Sequence, residues 1–241
     1  MSQKTVAFLG ASTGVGLSAL KTCLAAGHQC IALCRNPAKL TSLFDLEKTP
    51  NLLLVQGNAH DIASVSRCLK ASETTLVDEV VFTIGGAFVW SKMTLDDPNV
   101  CEKGISTVLT ALSSLRKEGV AGRPHIVVCS TTGMSRFGRD TPRPVTPFYT
   151  IVLKVPHADK LAMEDKLASS GEDFTIVRAS LLTDGETERE IRVGIEDPVK
   201  GVESTAIGYT ISREDAGKWV ARNLVGRREE RFLNKTATIT Y

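Results

Sequence analysis

Short apolar runs alternate with longer amphipathic segments along most of the chain. An unbroken apolar run of about four to eight residues is typical of a strand buried on both faces, whereas apolar residues three or four apart predict a helix. Each of the first five predicted strands is followed by a predicted helix. The strands are predicted at 5–9, 30–34, 52–57, 79–85, 125–130 and 174–179, and the helices near 14–26, 37–47, 61–70, 98–118 and 156–170.

This alternation predicts right-handed crossovers between parallel strands, with helices on both faces of the sheet. The fold class is therefore α/β, with a doubly wound, mostly parallel sheet of the Rossmann type. We expect one domain over 1–241 with a small C-terminal substrate lobe. The tail, 236–241, carries β-branched residues at alternate positions and is predicted to add an edge strand.

Two polar, irregular segments, 133–149 and 183–208, stand apart from this pattern. Both follow predicted strands, and open α/β sheets bind ligands at the carboxyl ends of their strands. We expect these loops to form the walls of a substrate site. The simpler alternative is that they only connect elements at the surface.

Composition narrows the class of protein. The 241 residues are 42% hydrophobic and 23% charged, with a net charge of +2, as in an ordinary globular domain. Because like charges do not cluster and no apolar stretch could span a bilayer, we expect neither a nucleic-acid nor a membrane partner. The N-terminus does not look like a leader, and the six cysteines lack CxxC spacing. They are predicted to be reduced core residues of a cytoplasmic protein without a metal site.

The first predicted strand ends in a glycine-rich turn, GASTGVG, at residues 10–16. A strand, such a turn and a helix form the dinucleotide-binding arrangement. Gly10 allows the tight turn, Gly14 lets the backbone approach a pyrophosphate, and Gly16 lets the helix pack close to the strand. The amides of Ser12, Thr13, Gly14 and Val15 at the helix start are predicted to face the phosphates.

The end of the second predicted strand indicates which dinucleotide binds. An acidic residue there would accept hydrogen bonds from a ribose 2′-hydroxyl and favour NAD. The chain has Cys34-Arg35-Asn36 instead, with Lys39 one turn on. The Arg35 fork and the Lys39 charge suit a 2′-phosphate, so the expected cofactor is NADPH.

The GxxxGxG spacing resembles that of the short-chain dehydrogenase/reductase superfamily. The segment from Lys160 through Glu164 to TIVR at 175–178, and ISREDAGKWVARNL at 211–224, resemble its atypical branch, which includes NmrA-like proteins and flavin/biliverdin-IXβ reductases. The resemblance covers nearly the whole chain. It implies adenine contacts at Asn58 and Ala59, close approach of the cofactor at Gly85, and ribose binding by Lys160.

The chain departs from the superfamily at the catalytic tyrosine, which lies four residues before the lysine in most active members. Here that position is Pro156, and proline has no proton to donate. The candidate donors are His157, Tyr149 and a hydroxyl cluster of Ser130, Thr131 and Thr132. His157 lies three residues before Lys160, and an imidazole titrating near neutrality would be a reasonable acid. A reaction that needs no enzyme-derived proton is the alternative.

Three functions remain open. An NADPH-dependent oxidoreductase would pass hydride to a planar conjugated acceptor, such as a flavin, a quinone or a polyketide-like carbonyl compound. A non-catalytic sensor of NADP, as the NmrA-like resemblance implies, would act on a protein partner. An isomerase or dehydratase is the third. The apolar stripe of the helix near 98–118 fits either core packing or a dimer face, so a monomer and a homodimer both remain open.

Overall fold

The computed structural model describes residues 2–86, 88–89, 94–145 and 153–241. Its centre is a nine-stranded sheet. The strands of this sheet are β1 (Thr5–Leu9), β2 (Gln29–Cys34), β3 (Leu52–Gln56), β4 (Glu79–Phe82), β7 (His125–Thr131), β8 (Asp173–Ala179), β10 (Arg192–Asp197), β11 (Gly201–Ser204) and β13 (Lys235–Thr240). Two small two-stranded sheets pair β5 (Phe88–Val89) with β6 (Thr94–Leu95), and β9 (Leu181–Thr183) with β12 (Thr210–Ser212).

The helices are α1 (Gly14–Ala25), α2 (Ala38–Thr41), α3 (Ile62–Leu69), α4 (Val100–Lys117), α5 (Lys154–Ala168) and α6 (Arg213–Trp219). A π-helical segment, Val220–Gly226, continues α6. Short 3-10 turns lie at Arg143–Val145 and Glu230–Phe232. Among the described residues, no helix is both long and apolar enough to cross a membrane.

The strand order is β11-β10-β13-β8-β7-β4-β1-β2-β3, and all pairs from β3 to β13 are parallel. The chain moves outward from β1 in one direction through β2 and β3, and then in the other direction from β4. The winding therefore reverses between β1 and β4, and a crevice forms beyond their carboxyl ends. The doubly wound, mostly parallel sheet predicted from the sequence is confirmed.

Two apolar layers hold the helices on the sheet. One face packs against α1 and α6, and the other packs against α3, α4 and α5. The α4 stripe is buried here, since Ile105, Val108 and Leu112 are fully enclosed. Core packing therefore explains this stripe. The six cysteines are free thiols, five of them buried, as expected.

Three expectations were wrong in detail. The segment 183–208 is not irregular throughout, because β10 and β11 form an antiparallel hairpin within it. The tail is not an edge strand, because β13 lies between β8 and β10. The helix predicted near 37–47 is only the four-residue α2.

The hairpin was not predicted because the buried residues of β10 are not the apolar residues that a strand usually buries. Gly194 is buried where an apolar side chain would be expected, and Glu196 is also buried. The turn is well built, since the Asp197 carboxylate accepts the N–H groups of Val199 and Lys200 and Gly201 has φ +94°. Once the hairpin pairs with the tail, the tail becomes an interior strand.

Candidate functional site

A cavity of about 420 Å³ lies at the carboxyl ends of β1, β2, β3 and β4. It occupies the crevice where the winding of the sheet reverses. Seven of the predicted cofactor residues line it: Gly10, Ser12, Thr13, Arg35, Asn58, Ala59 and Gly85.

The glycine turn is shaped by contact with the strand next to β1. Gly10 has φ +102°, and a Cβ there would lie 2.8 Å from the backbone of Thr83. A Cβ on Gly16 would lie 2.6 Å from the Gly10 carbonyl oxygen. The Thr83 hydroxyl donates to that same carbonyl at 3.1 Å. Only glycine fits at both positions, which agrees with the roles predicted for them.

The start of α1 faces the cavity with free backbone donors. The N-cap residue Thr13 is extended and makes no side-chain cap, so the first N–H groups of the helix have no partner within it. Gly14 begins the helix at φ +59°, and the position of a side chain there borders the side chain of Arg213. Val15 is buried in the core and contributes its backbone alone. These features fit a bound pyrophosphate.

Two cations lie near the end of β2, where the adenosine part of the cofactor is predicted to bind. Arg35 is exposed at the end of β2, lines the cavity, and pairs with no carboxylate of the described residues. Lys39 lies in α2, also exposed, but does not line the cavity. Asn58 accepts the His60 N–H at 3.1 Å, which shapes the turn after β3. Gly85 has open space where a side chain would be.

Lys160 places its ammonium group at the end of β7. Its Nζ donates to the Cys129 carbonyl at 3.0 Å. The cation also lies near the Cys101 thiol, whose pKa burial raises to about 12 while Lys160 opposes the rise. Pro156 lies one turn earlier, near the start of α5.

The three strand-end hydroxyls have different surroundings. Ser130 is buried and donates to Glu164 of α5 at 2.5 Å. The Thr131 hydroxyl donates to the Ala179 carbonyl at 3.4 Å. Thr132 is 1% exposed, and its hydroxyl has no hydrogen-bond partner among the described residues. Of the three, Thr132 is therefore the hydroxyl with hydrogen-bonding capacity left for a ligand.

His157 is buried between the loop after β7 and Lys160. Burial lowers its pKa to about 4, the Asp140 carboxylate opposes this shift, and Lys160 adds to it. The expectation that this imidazole titrates near neutrality is wrong, because a buried imidazolium loses its hydration. The other candidate donor, Tyr149, lies outside the described residues.

A second cavity, of about 230 Å³, separates the two loops predicted as substrate walls. Asp140 fixes its first wall by accepting the N–H groups of Gly133, Met134 and Ser135. Its second wall is the hairpin and the residues after it. The lining residues are Ser135, Phe137, Gly138, Arg139, Asp140, Gly194, Ile195, Glu196, Val202, Ser204, Thr205, Ala206, Ile207 and Thr238.

A buried ion network joins these walls to α5. Arg178 donates to Glu164 at 2.6 Å and to Glu196 at 2.9 Å, and all three side chains are nearly enclosed. The Ser135 hydroxyl donates to the second oxygen of Glu196. The helix that carries Lys160 is thereby tied to both loops.

The residues of the first cavity that were not predicted as site residues include the polar side chains of Thr83, His60, Asp96 and Asp97. Thr83 lies within the strand predicted at 79–85 and directly follows β4, and His60 lies three residues after the strand predicted at 52–57. Nearness to a strand end was the available signal. The two aspartates precede α4. The Asn99 N–H lowers the pKa of Asp97, and no local pattern set them apart from an ordinary helix start.

The glycine cradle, the free amides of α1 and the unpaired Arg35 fit a phosphorylated dinucleotide. Comparison with known proteins agrees. Residues 10–225 match the model of a family described as NAD(P)H-binding. The chain is 38% identical to the reductase pytE of Aspergillus terreus over 266 residues, covering 100% of this chain and 99% of that protein. It is 31% identical to the oxidase pynE of Aspergillus niger, covering 100% and 99%.

Solved structures share the fold at low identity. A short-chain dehydrogenase/reductase from Veillonella parvula, in complex with NADP, has a TM-score of 0.74 at 13% identity, covering 100% of this chain and 95% of that one. The anaerobilin reductase ChuY of Escherichia coli O157:H7 has a TM-score of 0.66 at 17% identity, covering 98% and 96%. The chain belongs to the NAD(P)H-binding family whose model it matches over residues 10–225, and its cofactor is NAD(P)H.

Proposed function

We propose that the protein is an NADPH-dependent oxidoreductase that transfers hydride directly to a planar conjugated acceptor. One observation carries this proposal. Lys160 keeps its ammonium group at the end of β7, 3.0 Å from the Cys129 carbonyl, while the position one turn earlier is Pro156. The end of β7 retains a cation suited to ribose binding, and proline stands at the position four residues earlier, where the superfamily has the phenol that protonates a simple carbonyl.

Each binding group has a separate task. The α1 amides and the glycine turn hold the pyrophosphate, Arg35 pairs with the 2′-phosphate, and Lys160 orients the ribose. When bound, NADPH supplies the hydride. The chain contributes the positioning of the cofactor against the acceptor.

With a conjugated acceptor, the reaction does not need a proton from a catalytic tyrosine. Hydride transfer adds two electrons and one hydrogen to the acceptor and oxidises NADPH to NADP. The resulting negative charge spreads over the conjugated system, so water can supply the proton afterwards. The Thr132 hydroxyl, which has no hydrogen-bond partner among the described residues, is the candidate donor to that charge. Ser130 serves mainly to position α5, because its proton is committed to Glu164.

The relatives support redox chemistry over the other two functions. One is named a reductase and the other an oxidase, and hydride transfer runs in either direction. A sensor would also use Lys160 to bind the ribose, so the names of the two relatives are what favour an enzyme.

The test combines binding with turnover. NADPH and NADH are titrated by fluorescence, and NADPH oxidation is then followed with flavin, biliverdin, quinone and simple carbonyl acceptors. We expect tighter binding of NADPH and turnover only with conjugated acceptors. Arg35→Ala is expected to abolish the preference for NADPH, and Lys39→Ala, which changes a cation outside the cavity, to alter it less.

Two results would contradict the proposal. Turnover of simple carbonyl compounds at rates equal to those of conjugated acceptors would show that an unrecognised acid operates. Tight NADPH binding without oxidation by any acceptor class would favour the sensor.

A further inference from the structure

The helix α6 is docked across the first turns of α1, beside the pyrophosphate-binding amides. A Cβ on Gly217 would lie 2.4 Å from the Val15 carbonyl oxygen, so the two backbones are in direct contact. The Ser18 hydroxyl donates to the Glu214 carbonyl at 2.6 Å. The first residue of α6, Arg213, is therefore held at a fixed place relative to the start of α1.

The Arg213 side chain covers Gly14. The ideal Cβ position of Gly14 is 3.3 Å from Arg213 Cδ and 3.9 Å from Nε, and no other hindering atom of the described residues lies within 4 Å. The guanidinium group is thus carried next to the residue at which α1 begins. A cation beside unpaired helix amides strengthens an anion site.

The ion pair that Arg213 makes in this structure is weakly held. Its Nη1 lies 2.7 Å from the Asp184 carboxylate, but the two side chains are 35% and 83% exposed. Exposed pairs contribute little to stability, because water competes for both charges. Asp184 lies directly after β9, in the second loop predicted as a substrate wall.

We propose that Arg213 binds the cofactor pyrophosphate, exchanging Asp184 for the phosphate oxygens. The guanidinium fork matches two phosphate oxygens, and a doubly charged pyrophosphate competes well with one exposed carboxylate. Cofactor binding then releases the Asp184 carboxylate, while the loop that carries it stays joined to α6 through Glu214 and Asp215. The proposal rests on NAD(P)H binding and is independent of which acceptor is reduced.

The test is nucleotide affinity without any acceptor, so failure of the proposed hydride transfer would not affect it. NADPH and NADH are titrated against the wild type, Arg213→Ala, Arg213→Lys and Asp184→Asn. Because both nucleotides carry the pyrophosphate, Arg213→Ala is expected to weaken the binding of both by the same factor, about tenfold. Arg213→Lys is expected to lose less affinity, since lysine keeps the charge. Arg35→Ala should instead weaken NADPH selectively.

Asp184→Asn separates a cofactor role from a structural one. If Asp184 competes for Arg213, its removal tightens the binding of both nucleotides. If the ion pair merely supports the loop, Asp184→Asn weakens binding as much as Arg213→Ala does, and the proposal is wrong. Unchanged affinities in Arg213→Ala and Arg213→Lys would also overturn it. Unfolding midpoints without nucleotide confirm that each variant is folded.

Discussion

At the level of single residues, Lys160 is the group on which the functional assignment depends. Its Nζ reaches the Cys129 carbonyl from α5, and ribose hydroxyls are the ligands expected beside it. We predict that Lys160→Met, which keeps most of the apolar stem, weakens binding of NADPH and NADH by about tenfold, the value of one charge-assisted hydrogen bond. Fluorescence titration measures this. Lys154→Met, an exposed lysine of the same helix, is the control, and equal affinities in the two variants would remove Lys160 from the site.

His157 has a different consequence, which concerns stability. An unfolded histidine titrates near pH 6.5, whereas burial holds the pKa of His157 at about 4 in the folded protein. Between these values only the unfolded chain binds the proton, so the free energy of unfolding falls as pH falls. We predict that moving from pH 7 to pH 5 destabilises the wild type by at most about 2 kcal/mol more than His157→Phe. Urea unfolding of both proteins at both pH values tests this. If the two proteins lose the same free energy of unfolding between pH 7 and pH 5, the prediction is wrong.

At the level of elements, α5 and β8 are joined to the hairpin by Arg178. This cation lies between Glu164 and Glu196, and its side chain is only 6% exposed. Removing it leaves two buried carboxylates without a counterion, so Arg178→Met is predicted to cost about 3–5 kcal/mol. Arg136, which pairs with Asp165 of α5 with both side chains more than half exposed, provides the control. Arg136→Met should lower the free energy of unfolding by less than about 1 kcal/mol. If urea unfolding shows comparable losses for Arg136→Met and Arg178→Met, the prediction is wrong.

The same elements show how far the sequence could predict the structure. Strands such as β1 and β7 were predictable because an unbroken apolar run indicates burial without reference to the rest of the chain. The glycine turn was predictable because its backbone conformation requires glycine at fixed positions. The hairpin was not predictable, since Glu196 is buried only because Arg178 comes from another strand. Arg213 lies beside Gly14 through the packing of α6 on α1, and no spacing near either residue indicates it. Whether the predicted catalytic residues act in turnover stays a prediction.

At the level of the whole molecule, the cofactor cavity and a second buried ion network lie at opposite ends of the parallel strands. The carboxyl edge holds the cofactor cavity, while the amino edge holds a buried network centred on Glu79. Lys4 lies 2.8 Å from one carboxylate oxygen of Glu79, and His125 lies 2.8 Å from the other. The Thr175 hydroxyl donates to the Phe232 carbonyl at 2.8 Å and contacts His125 Nε2 at 2.9 Å, so that nitrogen must be the donor.

This network joins the beginning, middle and end of the chain, and it lies at the edge away from the cofactor. Glu79→Leu leaves Lys4 and His125 without their carboxylate and is predicted to lower the free energy of unfolding by about 3–5 kcal/mol. At temperatures where the variant is folded, its NADPH affinity should equal that of the wild type, since no cofactor contact changes. Glu73→Leu, at a carboxylate 95% exposed, should change neither property. A large loss of NADPH affinity in folded Glu79→Leu would show instead that the two edges are coupled through the sheet.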